Sequence, residues 1–135
     1  NKNKIKKIIK GYKNVYWLDS KREPDTMKLQ AISDILITDW SSISNEYYLT
    51  QRPIIFLEVN PHYFTEIRGK PPVPPEYRAG EIVYNTKEFY EALKFVIEHG
   101  NRYMKKQKEL LEIIHGKVDG KASERVIKVV EKILD

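Results

Sequence analysis

Two uninterrupted apolar runs, Ile35-Leu36-Ile37 and Ile54-Ile55-Phe56-Leu57, constrain this chain more than anything else in it. A strand with one face in water alternates apolar and polar residues, whereas a run without alternation reads as a strand buried on both faces. Such strands belong to parallel sheets covered by helices, and parallel neighbours need a crossover between them. Ser41 to Thr50 supplies a helix in that place, and Arg52-Pro53 ends it, because proline removes a backbone donor and cannot continue a helix. The order predicts an α/β layered domain whose strands are joined by right-handed crossovers.

The flanking segments extend the pattern. Asn14 to Leu18 is a short strand candidate, and Asp25 to Ser33 reads as a helix carrying Met27, Leu29 and Ile32. Residues 60 to 80 hold Pro61, Pro71, Pro72, Pro74 and Pro75 with Gly69 and Gly80, and are expected to form a long loop. Glu81 to Tyr84 is a further short strand. Three helices follow: Thr86 to His99, stopped by Gly100; Asn101 to His115; and Lys121 to Leu134, introduced by the turn Asp119-Gly120. Glu88 and Glu91 suit the first turns of the first of these, facing the positive end of its dipole. Val126, Ile127, Val129, Val130, Ile133 and Leu134 make one face of the last, expected to lie against the sheet.

Composition excludes several classes. The chain has 135 residues, which favours one domain spanning 1–135, and it has no cysteine, so disulfides and thiolate metal sites are ruled out. No stretch approaches the ~18 apolar residues that a membrane-spanning helix requires. Part of the net charge of +5 is concentrated at the start, where Lys2, Lys4, Lys6, Lys7, Lys10 and Lys13 meet no acid. A basic arm of that kind is either a solvated helix or a surface for an anionic membrane or polymer. Tyr12, Tyr16 and Trp17 near the lysines read as core residues of the first strand, and nucleic-acid binding is not expected. His62, His99 and His115 are scattered, and no metal site is expected from them.

The segment that carries chemistry is Thr38-Asp39-Trp40-Ser41-Ser42-Ile43-Ser44. Here a buried strand ends and hydroxyl residues begin a helix, at the carboxyl edge where open α/β sheets bind ligands. Backbone amides and the helix dipole hold a phosphate there without a lysine, although serine at a helix start is also an ordinary cap. Glu46 lies one turn beyond Ser42, on the same helix face, where a carboxylate can accept both hydroxyls of a ribose.

The run from Ile32 through Glu46, continuing through Leu49, Arg52-Pro53 and Ile54-Ile55-Phe56, resembles the CDP-glycerol glycerophosphotransferases of teichoic acid synthesis. In that family a buried strand is followed by Asp, an aromatic residue, Ser-Ser and, four residues later, an acid. The resemblance extends to Arg68-Gly69, to Glu81 through Leu93, and to Asp119 through Arg125. This chain departs from the pattern in having Trp40 where tyrosine is more usual and Glu46 where aspartate is common. A wider resemblance, to GT-B glycosyltransferases and UDP-GlcNAc 2-epimerases, lies in an acid seven residues before a proline, here Glu46 and Pro53.

The resemblance implies a Rossmann-like three-layer domain forming the C-terminal, donor-binding half of a GT-B enzyme. Ser41, Ser42 and Ile43 would hold the diphosphate and Glu46 the ribose, Asp39 would orient the turn, and Arg68, Lys121 and Ser123 would support the phosphates. The implied reaction moves glycerol phosphate, or a similar polyol phosphate, from a CDP-activated donor to a hydroxyl of a membrane-linked acceptor. It takes place at the cytoplasmic face of the membrane, with the general base on a preceding N-terminal domain. No cofactor is marked, and a divalent cation is compatible with the diphosphate. Competing readings are a UDP-sugar transferase or epimerase, and a non-catalytic basic domain that binds membrane or polymer.

Overall fold

The computed structural model describes residues 2–69 and 74–134, without the side chains of Pro61, Tyr63, Phe64 and Arg68. The chain divides into two units, residues 1–32 and 33–135.

In the first unit, α1 (Lys2–Ile9) exposes all of its lysines, and Ile5 and Ile8 as well. α2 (Thr26–Ile32) starts where the Asp25 carboxylate accepts the Met27 amide at 3.0 Å. The expected strand at Asn14 to Leu18 does not form, and Tyr12 and Tyr16 are exposed, not core. The segment is organised by side chains instead of a ladder. Lys6 Nζ lies 5.4 Å from the Trp17 ring centre and 3.8 Å from Asp19, and Arg22 donates to the Trp17 carbonyl at 3.5 Å. A strand without a neighbouring strand has no partner for its backbone groups, so pattern alone cannot make one.

The second unit is the α/β domain. β1 (Leu36–Thr38), β2 (Ile54–Leu57) and β3 (Glu81–Val83) form a parallel sheet in the order β1-β2-β3, with Ile37 opposite Ile55 and Phe56 opposite Ile82. β2 is central, and its pleat divides the core in two. Ile54 and Phe56 join Tyr47, Tyr48, Ala79 and Leu110 on one face, while Ile55 joins Val83, Ala92 and Val96 on the other. Helices on both faces give the expected three layers. β1 departs from the expectation of burial on both faces. It lies at an edge of the sheet, and Ile37 is 44% exposed.

Between β1 and β2 the chain forms α3 (Ile43–Tyr47) and then a 3-10 turn, Tyr48–Thr50, closed by Gln51 at φ 58°. The proline-rich segment is not the long loop expected. It contains α4 (Pro61–Arg68) and a 3-10 turn at Pro75–Tyr77, while Pro71 and Pro72 lie outside the described residues. Proline at the first position of a helix loses nothing, because that amide has no partner within the helix in any case.

α5 (Thr86–His99) has the expected bounds, and its cap is Asn85. Asn85 Oδ1 accepts the Glu88 amide at 3.0 Å, and the Glu88 carboxylate accepts the Tyr84 amide at 2.8 Å. Asn85 thus satisfies an amide of the first turn, and Glu88 ties back both the Asn85 side chain and the residue before the cap. α6 (Met104–Ile114) follows and buries Gln107 completely. Its amide nitrogen donates to the carbonyls of Arg52 and Ala79 at 3.1 and 3.0 Å, while its amide oxygen accepts from Asn101 at 2.8 Å. One side chain thereby satisfies the entries to both β2 and β3.

α7 (Ala122–Leu134) corrects the sequence expectation most sharply. Val126, Ile127, Val129, Val130, Ile133 and Leu134 are all exposed, from 47% to 80%, and do not lie against the sheet. Both sheet faces are already covered from other elements: the Tyr47–Tyr48 turn with α6 on one side, and α5 on the other. Amphipathic periodicity shows which side of a helix is apolar, not what covers it.

Candidate functional site

The candidate site is the chain reversal that follows β1, from Asp39 to Glu46. At the carboxyl end of the strand, Asp39 Oδ1 accepts the Ser41 amide at 3.0 Å, an Asx turn that directs the chain from the sheet into α3. Trp40, between them, is 8% exposed, whereas Asp39, Ser41 and Ser42 lie at the surface. The burial of Trp40 and exposure of its neighbours give the loop one anchored and one open side.

Ser42 is the residue before α3 and makes no side-chain cap, so its hydroxyl is not consumed by the helix. Ser41 Oγ accepts the Ile43 amide at 3.5 Å, a long contact, and the Ser41 carbonyl accepts from the Ser44 hydroxyl at 3.2 Å. Ser44 is fully buried and ties the reversal down from within. Glu46 follows in the same short helix and is half-buried. Asp39, Ser41, Ser42, Ile43 and Glu46 thus fall in one continuous reversal.

Tyr47, the last residue of α3, and Tyr48, the first of the 3-10 turn, are both completely buried. Tyr47 donates to the Ser33 carbonyl at 2.7 Å on the entry to β1. Tyr48 donates to the Tyr77 carbonyl at 2.6 Å and accepts the Ala79 amide at 3.1 Å on the entry to β3. The chain tightens into the 3-10 turn at Tyr48 itself, and the two consecutive rings reach different partners.

Two features around this reversal were not read from the sequence. Arg78 and Glu58 form an ion pair in which both residues are almost fully buried, and the Arg78 guanidinium lies 6.0 Å from the centre of the Trp40 ring. Burial lowers the Arg78 pKa from the ordinary guanidinium value. His115, at the end of α6, donates from Nε2 to the Asn45 carbonyl at 3.0 Å, beside Glu46. The lone Arg-Ala-Gly after Glu76-Tyr77, and a histidine at a helix end, carry no pattern that marks these contacts.

The supporting residues are distributed differently. Lys121 and Ser123 open α7 on a separate turn, where Asp119 accepts the Lys121 amide at 3.0 Å and the Arg125 guanidinium at 2.8 Å. Those bonds hold the Asp119 carboxyl below its ordinary pKa, Arg125 contributing most. Arg68 is the last residue of α4, and its side chain lies outside the described residues. Among the described residues no group of three or more His, Asp or Glu side chains is placed to hold a metal ion. None of the described helices is long and apolar enough to cross a membrane.

Residues 2–132 match the family described as CDP-Glycerol:Poly(glycerophosphate) glycerophosphotransferase. The chain is also 31% identical over 109 residues to a teichoic acid glycerol-phosphate transferase of Staphylococcus aureus (strain NCTC 8325 / PS 47). That alignment covers 80% of this chain and 28% of the relative, so the chain spans little more than a quarter of the relative's length. No solved structure matches it.

Proposed function

The chain belongs to the CDP-glycerol:poly(glycerophosphate) glycerophosphotransferase family, and from that premise we propose that it is the donor-binding part of a polyol-phosphate transferase. The donor is a nucleotide-activated glycerol phosphate or similar polyol phosphate, with CDP as carrier. The acceptor is a hydroxyl of a membrane-linked teichoic-acid-like polymer, and the enzyme works at the inner face of the membrane.

The observation that carries this reading is the Asp39 to Glu46 reversal. It combines the segment that carries the family resemblance with an exposed Ser41-Ser42 pair at the carboxyl end of a parallel strand. In the proposed complex Ser41, Ser42 and the Ile43 amide hold the diphosphate, and Glu46 accepts the ribose hydroxyls. Asp39 keeps the turn in shape, and Arg68, Lys121 and Ser123 supply outer support to the phosphates.

The acceptor oxygen attacks the distal phosphorus, the bond from that phosphorus to the bridging oxygen breaks, and CMP leaves. The acceptor proton passes to a base supplied outside these 135 residues, by the N-terminal half of a GT-B enzyme. Hydroxyls and amides fixed around the bridging phosphates stabilise the charge that develops there. By this reading the 135-residue chain binds donor without turning it over.

The test is an NMR titration of the labelled chain with CDP-glycerol, CMP and UDP-GlcNAc. Shifts of the Ser41, Ser42, Ile43 and Glu46 amides with the cytidine ligands are expected. Shifts confined to UDP-GlcNAc would transfer the chain to the sugar enzymes, and release of CMP by the chain alone would refute the division of labour.

A further inference from the structure

The candidate turn is braced from below by a charge pair that the proposed reaction does not use. Arg78 belongs to the segment entering β3, and its backbone is held at both ends. Its amide donates to the Pro75 carbonyl at 3.1 Å, and its carbonyl accepts from Lys106 Nζ at 3.1 Å. Glu58 belongs to the other end of the sheet. It follows β2, and its amide donates to the Val83 carbonyl at 2.8 Å. The Arg78 side chain therefore joins a fixed point before β3 to a fixed point after β2, with the Trp40 ring beside its guanidinium.

A buried ion pair is a poor device for stability alone, because desolvating two charges offsets their attraction, and apolar side chains of similar volume often serve as well. What it supplies is geometry. A carboxylate and a guanidinium lock into few arrangements, and an aromatic face over the guanidinium is held by its quadrupole. Trp40 is the one buried residue between Asp39 and Ser42, so whatever fixes its ring fixes the backbone that bears both serines.

We propose that Arg78 and Glu58 are positioning residues that set the Trp40 ring and, through it, the Asp39–Ser42 turn that receives the diphosphate. The second half of that statement rests on the donor-site reading above; the first does not. Neither residue touches the donor.

The experiment compares the parent chain with Glu58→Gln, Arg78→Lys and the paired apolar variant Arg78→Met with Glu58→Leu. The probes are the Trp40 indole N–H, distinguished from Trp17 by a Trp17→Phe control, and the Ser41 and Ser42 amides, all without ligand. The folded paired variant is expected to shift these signals and to bind CDP roughly tenfold more weakly. Binding of cytidine, which lacks phosphate, changes less. Arg78→Lys keeps the charge and recovers part of the loss.

Variants that lower thermal stability yet leave the Trp40 and Ser41–Ser42 signals in place would overturn the proposal, because a merely structural pair behaves that way. Should the paired variant not fold, Glu58→Gln, which preserves shape, decides the same question. A parent chain silent to CDP would defeat the donor-site reading, while the ligand-free spectra would still decide whether the pair positions the turn.

Discussion

The Tyr48 hydroxyl donates to the carbonyl of Tyr77 at 2.6 Å, joining the end of α3 to the chain that enters β3. The same oxygen accepts the buried Ala79 amide at 3.1 Å, so one phenol serves two backbone groups. Tyr48→Phe keeps the ring and strands both partners, which should cost about 1–3 kcal/mol. Urea unfolding should show a lower midpoint with an unchanged slope.

The same burial predicts an alkaline limit. Desolvation raises the Tyr48 pKa, and that of Tyr47, above the ordinary tyrosine value. Because the folded pKa lies above the unfolded one, the stability contribution is complete below about pH 10 and is lost as pH rises beyond it. Urea midpoints measured from about pH 8 to about pH 11 should fall at the alkaline end. Tyr48→Phe should lessen the fall.

Glu46 should read the sugar. If its carboxylate accepts the ribose hydroxyls, the parent chain prefers CMP to 2′-deoxy-CMP, and Glu46→Gln should erase about tenfold or more of that preference. Calorimetric titration of both nucleotides measures it. An unchanged preference would remove Glu46 from the site.

Gly80 has no room for a side chain. A Cβ there would stand 2.5 Å from the Ile54 carbonyl oxygen and 2.9 Å from the Ile54 Cβ. Gly80→Ala should force β2 and the entry to β3 apart at a cost of about 1–3 kcal/mol. Thermal unfolding of the variant checks this.

The exposed stripe of α7 and the buried centre of β2 should respond oppositely to truncation. Val126→Ala, at a residue 62% exposed, should change the stability of this chain by less than about 0.5 kcal/mol. Ile55→Ala, at a fully buried residue, should cost about 2–5 kcal/mol. Paired urea curves of the two variants test whether the apolar face of α7 contributes to this fold.

What the sequence determined by itself was local or repetitive. The continuous run Ile54 to Leu57 specified a buried strand, Gly100 ended α5, and the segment from Asp34 to Glu46 carried both a strand-to-helix reversal and the family resemblance. Each rests on neighbours in the chain, where propensity and periodicity act. Tertiary structure decided everything that depends on which segments become neighbours in space. It left Asn14 to Leu18 without a strand partner, placed β1 at an edge of the sheet, and covered both sheet faces without the apolar side of α7. It also brought Gln107 to the entries of two strands and Arg78 to Glu58 beneath Trp40. A buried polar group is stable only where its partners converge, and that convergence is a property of the packed chain, with no spacing in the sequence to announce it.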